Sequence, residues 1–456
     1  MICLGYKRRN YYFTVFIGNL TMIALGNAYA WTSPTLPILM SNNDSVFPLV
    51  EDEASWIASL FSLGAAIGPL IAAPVKETIG FKWSFSLIST IMVISWIGLA
   101  SLWNIYIFYF ARLIAGIAAG MNFCILPLYI AEISEDELRT TINSLSQFFR
   151  CLAYLEEYVF GSLVSYYSLI LISSLASLLH LTLVYWSPES PYYLIAKGNT
   201  DKAQKTVAWL RGGSSQESLD SIKQIQAFLD RSKNGRSWKD LTTFVNLKAI
   251  FIVTSLLCLQ QTSGLTVMLV YTVKLFEMTG TSISPNMSSI IFGVVYAIGA
   301  IFGPIMTLKY GVKRSLILSA FGVFLSEEIL GLFLYFNAYG YDMSSFFWCP
   351  IVCTILYAVT YNIGLGPLPA TIMSEVFPAN VKAKASAICQ TIGFIVGFTI
   401  AKFFPILSEK LGIYSVFWMF GSSGIFVIIL TVYLVPNTKG LSLDQIQDIL
   451  SGNKKS

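Results

Sequence analysis

Residues 188–245 begin PESPYYLIAKGNTDKAQKTVAWLR and form the one long polar stretch of a chain that is otherwise almost continuously apolar. On either side of it, apolar runs of about 20 residues alternate with short polar turns. A helix of that length spans a hydrocarbon core of ~30 Å, so each run predicts a membrane-spanning helix. The polar stretch is therefore predicted to be the hinge between two membrane-embedded halves.

The composition agrees with this interpretation. Of the 456 residues, 55% are hydrophobic and only 12% are charged, whereas a soluble domain carries nearer ~25% charged residues. The chain is predicted to be an all-α polytopic membrane protein, with the lipid bilayer as its partner. The formal net charge of +4 is small and reflects basic loops rather than a nucleic-acid surface.

Several classes of protein are excluded by what the motifs lack. The sequence has no phosphate-binding loop, no Walker lysine and no dinucleotide fingerprint, which disfavours an ATP-driven pump and any nucleotide partner. It has no nucleophile–base arrangement, and its seven cysteines follow no disulfide or metal spacing. We therefore expect no enzyme activity, no cofactor, no metal site and no nucleic-acid partner.

The apolar runs predict twelve transmembrane helices in two six-helix bundles. The first bundle occupies 1–187, cytoplasmic linker helices occupy 188–245, the second bundle occupies 246–435, and a cytoplasmic tail occupies 436–456. The predicted spans, numbered 1 to 12, are 12–37, 54–75, 83–103, 105–130, 142–163, 166–187, 248–273, 287–307, 315–337, 346–373, 384–407 and 414–435.

The charges of the short loops predict the orientation. The loop between spans 1 and 2 holds acidic residues and no Lys or Arg, whereas the basic residues at 7–9, 82, 139, 309, 313–314, 382, 384, 439 and 454–455 fall on the side of the central stretch. Both termini are therefore predicted to be cytoplasmic. On the outer side, Asn43 and Asn286 each head a glycosylation sequon.

The two halves repeat each other at three places. ETIGFKWS at 77–84 parallels LKYGVKRS at 308–315, and PES at 188–190 parallels PNT at 436–438. The pair Glu132 and Arg139 parallels the pair Glu375 and Lys382, with the same spacing. Internal duplication is typical of transporters whose halves rock about a site near the midplane of the membrane.

Five motifs in one order carry a resemblance to a known family. They are PLYIAE ending in Arg139, PESPYYL, QQTSG at 260–264, GLGPLP at 364–369 and PNTKGLSLDQIQ after span 12. Because these motifs occur in the order typical of the family, the chain resembles the sugar porters of the major facilitator superfamily. WTSPTLP and EASWIASL look most like the corresponding segments of the insect trehalose and hexose facilitators. The resemblance implies facilitative transport of a hexose or trehalose across the plasma membrane by alternating access.

Five charged residues lie at the predicted cytoplasmic ends of spans. Opposite charges at these places can pair between helices in one state and separate in the other, and their modest pairing energies suit a switch. The resemblance implies an inner gate at these five positions; ordinary interfacial anchoring is the alternative. The residues are Glu132, Arg139, Glu189, Glu375 and Lys382.

A sugar is a neutral ligand with many hydroxyl groups, so its site needs side chains that both donate and accept hydrogen bonds. Gln147 in span 5 and Gln260 and Gln261 in span 7 meet that need and match the sugar contacts of the family. Thr266 and Asn362 occupy two further contact positions, where the family has Asn and an acidic residue respectively. Hydrogen bonding between helices is the alternative role. About half of the contacts that the family implies are absent, which leaves the sugar specificity open.

Ionisable residues inside the membrane are costly and are functional candidates by default. Span 5 carries Arg150, Glu156 and Glu157, and span 9 carries Glu327 and Glu328. One hypothesis is that span 5 presents charge to the central cavity, for an anionic or zwitterionic ligand or for proton coupling. The alternative is that some of these acids lie near a span end and face the outer water.

Two rivals to a sugar facilitator stay open. One is a carrier of a non-sugar or charged solute, possibly proton-coupled, which Arg150 favours. Against symport, the residue in span 1 where proton symporters of the family place an Asp is Asn27, which cannot titrate. The other rival is a transporter-like receptor that binds its ligand without translocating it.

Overall fold

In the computed structural model, the described residues are 9–41, 49–101, 104–134, 136–211, 219, 221–223, 225–227, 238–279, 283–378, 381–436, 445 and 449. These residues form helices and connecting turns, with no strand among them. Asn43 lies outside the described residues, as do most of the tail and the part of the linker around 228–237.

The helices are labelled in chain order. They are α1 Arg9–Ala30, α2 Thr32–Met40, α3 Glu51–Ala100, α4 Ile105–Ile133, α5 Asp136–Leu163, α6 Tyr166–Leu183, α7 Pro191–Ala196, α8 Thr200–Arg211, α9 Phe244–Thr262, α10 Leu265–Val270, α11 Thr272–Thr279, α12 Pro285–Tyr310, α13 Val312–Ala338, α14 Cys349–Ile363, α15 Leu368–Val376, α16 Lys382–Leu411 and α17 Ile413–Tyr433. Three short 3-10 turns lie at Val184–Trp186, Trp238–Thr242 and Ser344–Phe346.

Within the described residues, ten helical segments are long and apolar enough to cross a membrane. One of them, α3, is 50 residues long and contains predicted span 2 and most of predicted span 3, which it leaves at Ala100. The more polar α5, which contains predicted span 5, is not among the ten. The protein is thus a multi-pass, all-helical membrane protein.

The repeated loop motif folds in the same way in both halves. In α3 the helix breaks at Gly80, whose φ of 83° and ψ of 179° are not helical. Between α12 and α13, Gly311 has φ 83° and ψ 163°. A positive φ of this size favours glycine over every other residue. The internal repeat read from the sequence therefore corresponds to a repeated backbone turn.

Two of the predicted spans are broken near the middle. Predicted span 7 is divided at Gly264, with φ 76°, into α9 and α10, and a second break at Tyr271 separates α10 from α11. Predicted span 10 is divided into α14 and α15 between Gly364 and Pro367. Both breaks fall in motifs singled out from the sequence, QQTSG and GLGPLP. Unwound backbone at membrane depth is tolerated where it is buried in protein or lines a cavity.

The two halves meet along two helix pairs, α16 on α3 and α12 on α5. In the linker, α7 packs on α8, and a small apolar cluster forms from Ala203, Val207 and Ile222. The linker therefore has a hydrophobic contact of its own, while the central site lies where the two halves touch.

Candidate functional site

The middle of the molecule holds a neutral hydrogen-bonded chain that joins the two halves. The hydroxyl of Thr266 donates to Oε1 of Gln261 at 2.8 Å. The hydroxyl of Tyr29, from the first half, shares a hydrogen bond of 3.0 Å with Thr266. All three side chains are more than nine-tenths buried. The structure therefore brings together two of the predicted contacts, Gln261 and Thr266, and adds Tyr29 to them.

Tyrosine rings continue this polar centre from one half into the other. Tyr29 contacts Tyr154 at 6.1 Å between ring centroids, and Tyr154 contacts Tyr296 at 6.0 Å. Tyr296 stacks on Tyr361, which stacks on Tyr357. Aromatic faces of this kind pack against the apolar side of a sugar ring, and each phenol supplies a hydroxyl.

Gln147 and Arg150 face the same centre from α5. The guanidinium of Arg150 donates to Oε1 of Gln147 and lies over the ring of Phe123, 5.3 Å from its centroid. Tyr154 and Tyr296 are close enough to interact with it electrostatically. The arginine thus directs one amide of the predicted site and gives the otherwise neutral centre a positive charge.

Gln260 and Asn362 have partners of a different kind. The side-chain amide of Gln260 donates to the backbone carbonyls of Leu365 and Gly366, at 2.7 and 2.9 Å. It thereby ties the break after α9 to the break after α14. Asn362 is 1% exposed and lies against Gly299 of α12, with its Oδ1 buried and without a hydrogen-bond partner in the structure.

The acids of α5 point away from the tyrosine cluster and into the first half. Oε2 of Glu156 accepts a hydrogen bond from Asn27 at 3.4 Å. Glu157 is fully buried, and its Oε1 accepts from the hydroxyl of Ser173 on α6. The structure therefore separates Glu157 from Arg150, although both lie on the same helix.

The acids of α13 differ from each other. Glu327 is fully buried, and neither of its carboxyl oxygens has a hydrogen-bond partner in the structure. It lies against Gly264, at the break of predicted span 7. Glu328 is only partly buried and lies against Gly421 of α17.

Two inner-gate candidates, Glu132 and Glu189, make contacts that join the first half to the start of the linker. Glu132 accepts a hydrogen bond from Ser190 and lies 3.9 Å from the Lys76 ammonium. Glu189 accepts from the backbone N–H groups of Phe81 and Lys82, at 2.9 and 3.2 Å, which lie directly after the Gly80 turn. Burial raises the pKa of the Glu189 carboxyl, and these backbone N–H groups act in the opposite direction.

For the remaining inner-gate candidates, the structure describes less. The ammonium of Lys382 donates to the backbone carbonyl of Ser374 at 2.7 Å. Oε2 of Glu375 is buried without a hydrogen-bond partner in the structure. Arg139 lies within α5, and its side chain is outside the described residues. Asn286, the second sequon, is exposed at the start of α12.

Sequence reasoning overlooked Arg112, which is fully buried in α4. Its guanidinium donates to the backbone carbonyls of Ala28 and Ile57 and lies 4.9 Å from the centroid of the Phe61 ring. It also interacts electrostatically with Glu157. A lone arginine within an apolar span was the signal that could have identified it.

Sequence reasoning also overlooked two ion pairs between the halves. Lys402 of α16 pairs with Asp52, and Lys274 of α11 pairs with Glu51, each at 2.6 Å. The acidic start of α3 was noticed only as an indication of orientation. The two lysines, which lie in otherwise apolar segments of the second half, could have been identified as the partners of these acids.

Comparisons with known proteins place these observations in a family. The model of the sugar (and other) transporter family matches residues 24–450. A facilitated trehalose transporter, Tret1-1 of Drosophila simulans, is 28% identical over 436 residues, which is 95% of this chain and 51% of the relative. The chain thus spans about half the length of the first curated relatives it matches. A Tret1-2 homologue of the same species is also 28% identical, with 89% of its length covered.

Solved structures agree on the fold. The proton:xylose symporter XylE, of the major facilitator superfamily, bound to 6-bromo-6-deoxy-D-glucose, has a TM-score of 0.79 at 20% identity, covering 97% of this chain and 100% of that one. An inward-open conformation of XylE from E. coli also scores 0.79, covering 95% of this chain and 98% of that one. At this level of identity the likeness establishes the major facilitator fold, whereas the family follows from the match over residues 24–450. The chain belongs to the sugar (and other) transporter family.

Proposed function

We propose that this protein carries a sugar, a hexose or trehalose, down its gradient by alternating access. The observation that carries the proposal is the neutral centre of Gln261, Thr266 and Tyr29, which joins the two halves of a sugar-transporter fold. Amides, hydroxyls and aromatic faces are the groups that a polyol requires. Rocking of 1–187 against 246–435 would expose this centre to each side of the membrane in turn.

The relatives support the substrate class. The insect relatives are named as facilitated trehalose transporters, and the structural neighbour is named as a xylose symporter. At Asn27 the chain carries an amide that cannot titrate, bonded to Glu156. This supports uniport, in which the sugar gradient alone drives the movement.

The arrangement in the membrane belongs to the same proposal. Division of α3 at Gly80, together with α5, would raise the ten apolar segments to the twelve crossings predicted from the sequence. Both termini and the 188–245 linker would lie in the cytoplasm of a plasma-membrane protein. Asn286 is exposed and would lie on the outer side, where it could carry a glycan.

We assign roles within the site as follows. Gln261, Thr266 and Gln147 contact the sugar, and Gln260 and Asn362 reach it when their helices move. Glu132, Arg139, Glu189, Glu375 and Lys382 form the inner gate, whose contacts change between the two states. The described members are partly buried, and contacts of modest energy at the edge of the membrane can be made and broken in such a change.

Uptake of radiolabelled glucose and trehalose, in oocytes expressing the protein at the surface, tests the function. Wild type is expected to show saturable uptake that does not depend on pH. Gln261→Ala removes an acceptor and leaves Thr266 and Tyr29 to pair with each other, so we expect an increase in KM of about tenfold. Gln226→Ala, an exposed linker glutamine, is the matched control and should behave as wild type.

Two outcomes would contradict this proposal. Binding of either sugar without uptake would favour a receptor of transporter-like fold. If the protein reaches the surface normally but neither binds nor takes up either sugar, then neither sugar is its substrate.

A charged solute is the second candidate, because Arg150 contributes a cation to the centre. If the ligand is an anion or zwitterion, Arg150→Leu should lower its uptake by about a hundredfold, since a buried charge pair would be lost. For a neutral sugar, the same change should alter uptake by less than about fivefold, because Arg150 then only orients Gln147. Competition of glucose uptake by organic anions, compared between wild type and Arg150→Leu, distinguishes the two solutes.

A further inference from the structure

Lys402 is a charged residue in an otherwise apolar part of α16, and it is only 7% exposed. Its ammonium donates to Oδ1 of Asp52 at 2.6 Å and to the hydroxyl of Ser55 at 2.7 Å. It also lies 4.3 Å from the centroid of the Trp56 ring. A buried ammonium group is costly unless such partners surround it.

The hydrogen-bond acceptors and the aromatic ring around this ammonium all belong to the opposite half of the molecule. Residues 52, 55 and 56 lie on one face of the first turns of α3, because side chains three and four positions apart are neighbours on a helix. Asp52 also accepts through its backbone carbonyl, at 3.4 Å. The lysine of one half therefore rests in a socket made by the other half.

Two further contacts cross the same boundary close to this socket. The ammonium of Lys274 pairs with Glu51, the residue before Asp52, at 2.6 Å. The backbone N–H of Val273 donates to the hydroxyl of Ser33 at 3.2 Å. Between these elements lies a cleft of about 260 Å³, lined by residues of both halves. This end of the boundary is closed by polar contacts.

The charges of the loops indicate on which side of the membrane this end lies. The start of α3 follows the loop that carries acidic residues and no Lys or Arg, which places it on the outer side. At the predicted inner side, by contrast, the contacts described for Glu132 and Glu189 involve the first half and the linker and do not reach the second half. Among the described residues, the polar contacts that hold the two halves together at one end of their boundary are therefore those at the outer end.

We propose that Lys402 and its socket of Asp52, Ser55 and Trp56 form the outer gate of the transport cycle. This inference rests on the alternating-access function proposed above, and it assigns positioning roles to residues outside the sugar site. When the halves separate on the outer side, Lys402 loses its acceptors in the first half, and water has to replace them. The socket therefore favours the outward-closed state.

The gate is tested by labelling a cysteine at the boundary, without any need for transport. Ser33 is 1% exposed, so a cysteine there is protected while the outer end is closed. In a Ser33→Cys background, adding Lys402→Met should accelerate labelling by an external, membrane-impermeant thiol reagent about tenfold. Asp52→Asn should accelerate it about threefold, because Ser55 and the carbonyl of residue 52 still accept hydrogen bonds.

Three controls test whether faster labelling results from the loss of the contact between Lys402 and Asp52. Lys410→Met removes an exposed lysine of the same helix and should leave the labelling rate unchanged. Asp52→Lys combined with Lys402→Asp reverses the pair and should return the rate toward that of the Ser33→Cys background. The labelling rate of the chain that retains Ser33 gives the background reaction of the native cysteines.

The outcomes separate the gate from the proposed function. Unchanged labelling in both Lys402→Met and Asp52→Asn, at normal surface expression, would overturn the gate. If wild type carries no sugar and Lys402→Met still accelerates labelling, the sugar function fails and the gate stands. Since Asp52 is largely exposed, Asp52→Asn leaves the packing intact and gives a result even if Lys402→Met does not fold.

Discussion

Gly116→Val is expected to lower the amount of folded protein at the cell surface to less than about a tenth of the wild-type amount. A Cβ built on Gly116 would lie 2.0 Å from the backbone carbonyl oxygen of Phe61, and one built on Gly64 would lie 2.0 Å from that of Leu113. The two helices α3 and α4 therefore touch backbone to backbone. Inserting a branched side chain would force them apart at a cost of about 3 kcal/mol or more.

The contact follows a pattern of small residues on both helices. Gly64 and Gly68 face Gly116 and Gly120, so each helix carries a GxxxG pair at the crossing. Since the neighbouring atoms belong to backbone, no side-chain rotation can make room. Surface biotinylation and thermal stability in detergent measure the loss.

Gly18→Ala is the matched control for this prediction. Gly18 is also buried in a helix, but the nearest atom to its added Cβ is the end of the flexible Leu126 side chain, at 3.0 Å. We expect near-normal surface expression. Normal expression of Gly116→Val as well would contradict the close packing of α3 on α4.

Arg112→Leu is expected to lower uptake by about a hundredfold or more, because the buried guanidinium and its two hydrogen bonds to neighbouring helices are lost. The change removes the donor to the carbonyls of Ala28 and Ile57 and the cation that interacts with Glu157. The two carbonyls belong to α1 and α3, so Arg112 ties two helices near the site to its own helix, α4.

A second substitution, at Glu157, tests the physical reason for this loss of uptake. Arg112→Leu combined with Glu157→Gln should recover part of the surface expression if the two buried side chains act as a charge pair. Glu156→Gln in the same background is the matched control, and it should recover nothing. Equal recovery by both changes would show that Glu157 is not the partner of Arg112. Uptake normalised to surface protein separates transport from folding.

The sequence predicted more of the fold than of the site. The all-helical membrane fold and the repeated loop motif follow from local rules: the length of apolar runs, the polarity of turns and the need for glycine at a positive φ. The turns at Gly80 and Gly311 have the same φ of 83° in both halves. Such features depend on residues that are close together in the chain.

The site residues were partly predictable for a different reason. Gln261 and Thr266 lie five residues apart, and the family motif marks both. Gln260 comes from the same motif, but its amide meets the carbonyls of Leu365 and Gly366, 105 and 106 residues away. The family motif marks the amide as a candidate sugar contact, and the fold determines what it touches.

The sequence by itself therefore determined that this is a multi-pass, all-helical protein of the sugar-transporter family, because membrane helices and family motifs are local patterns. Tertiary structure alone decided that Tyr29 meets Thr266 across 237 positions of chain, and that Lys402 meets Ser55 across 347. Pairing of that kind depends on which helix faces which. That arrangement is fixed by close packing of whole helices, which no short stretch of sequence contains.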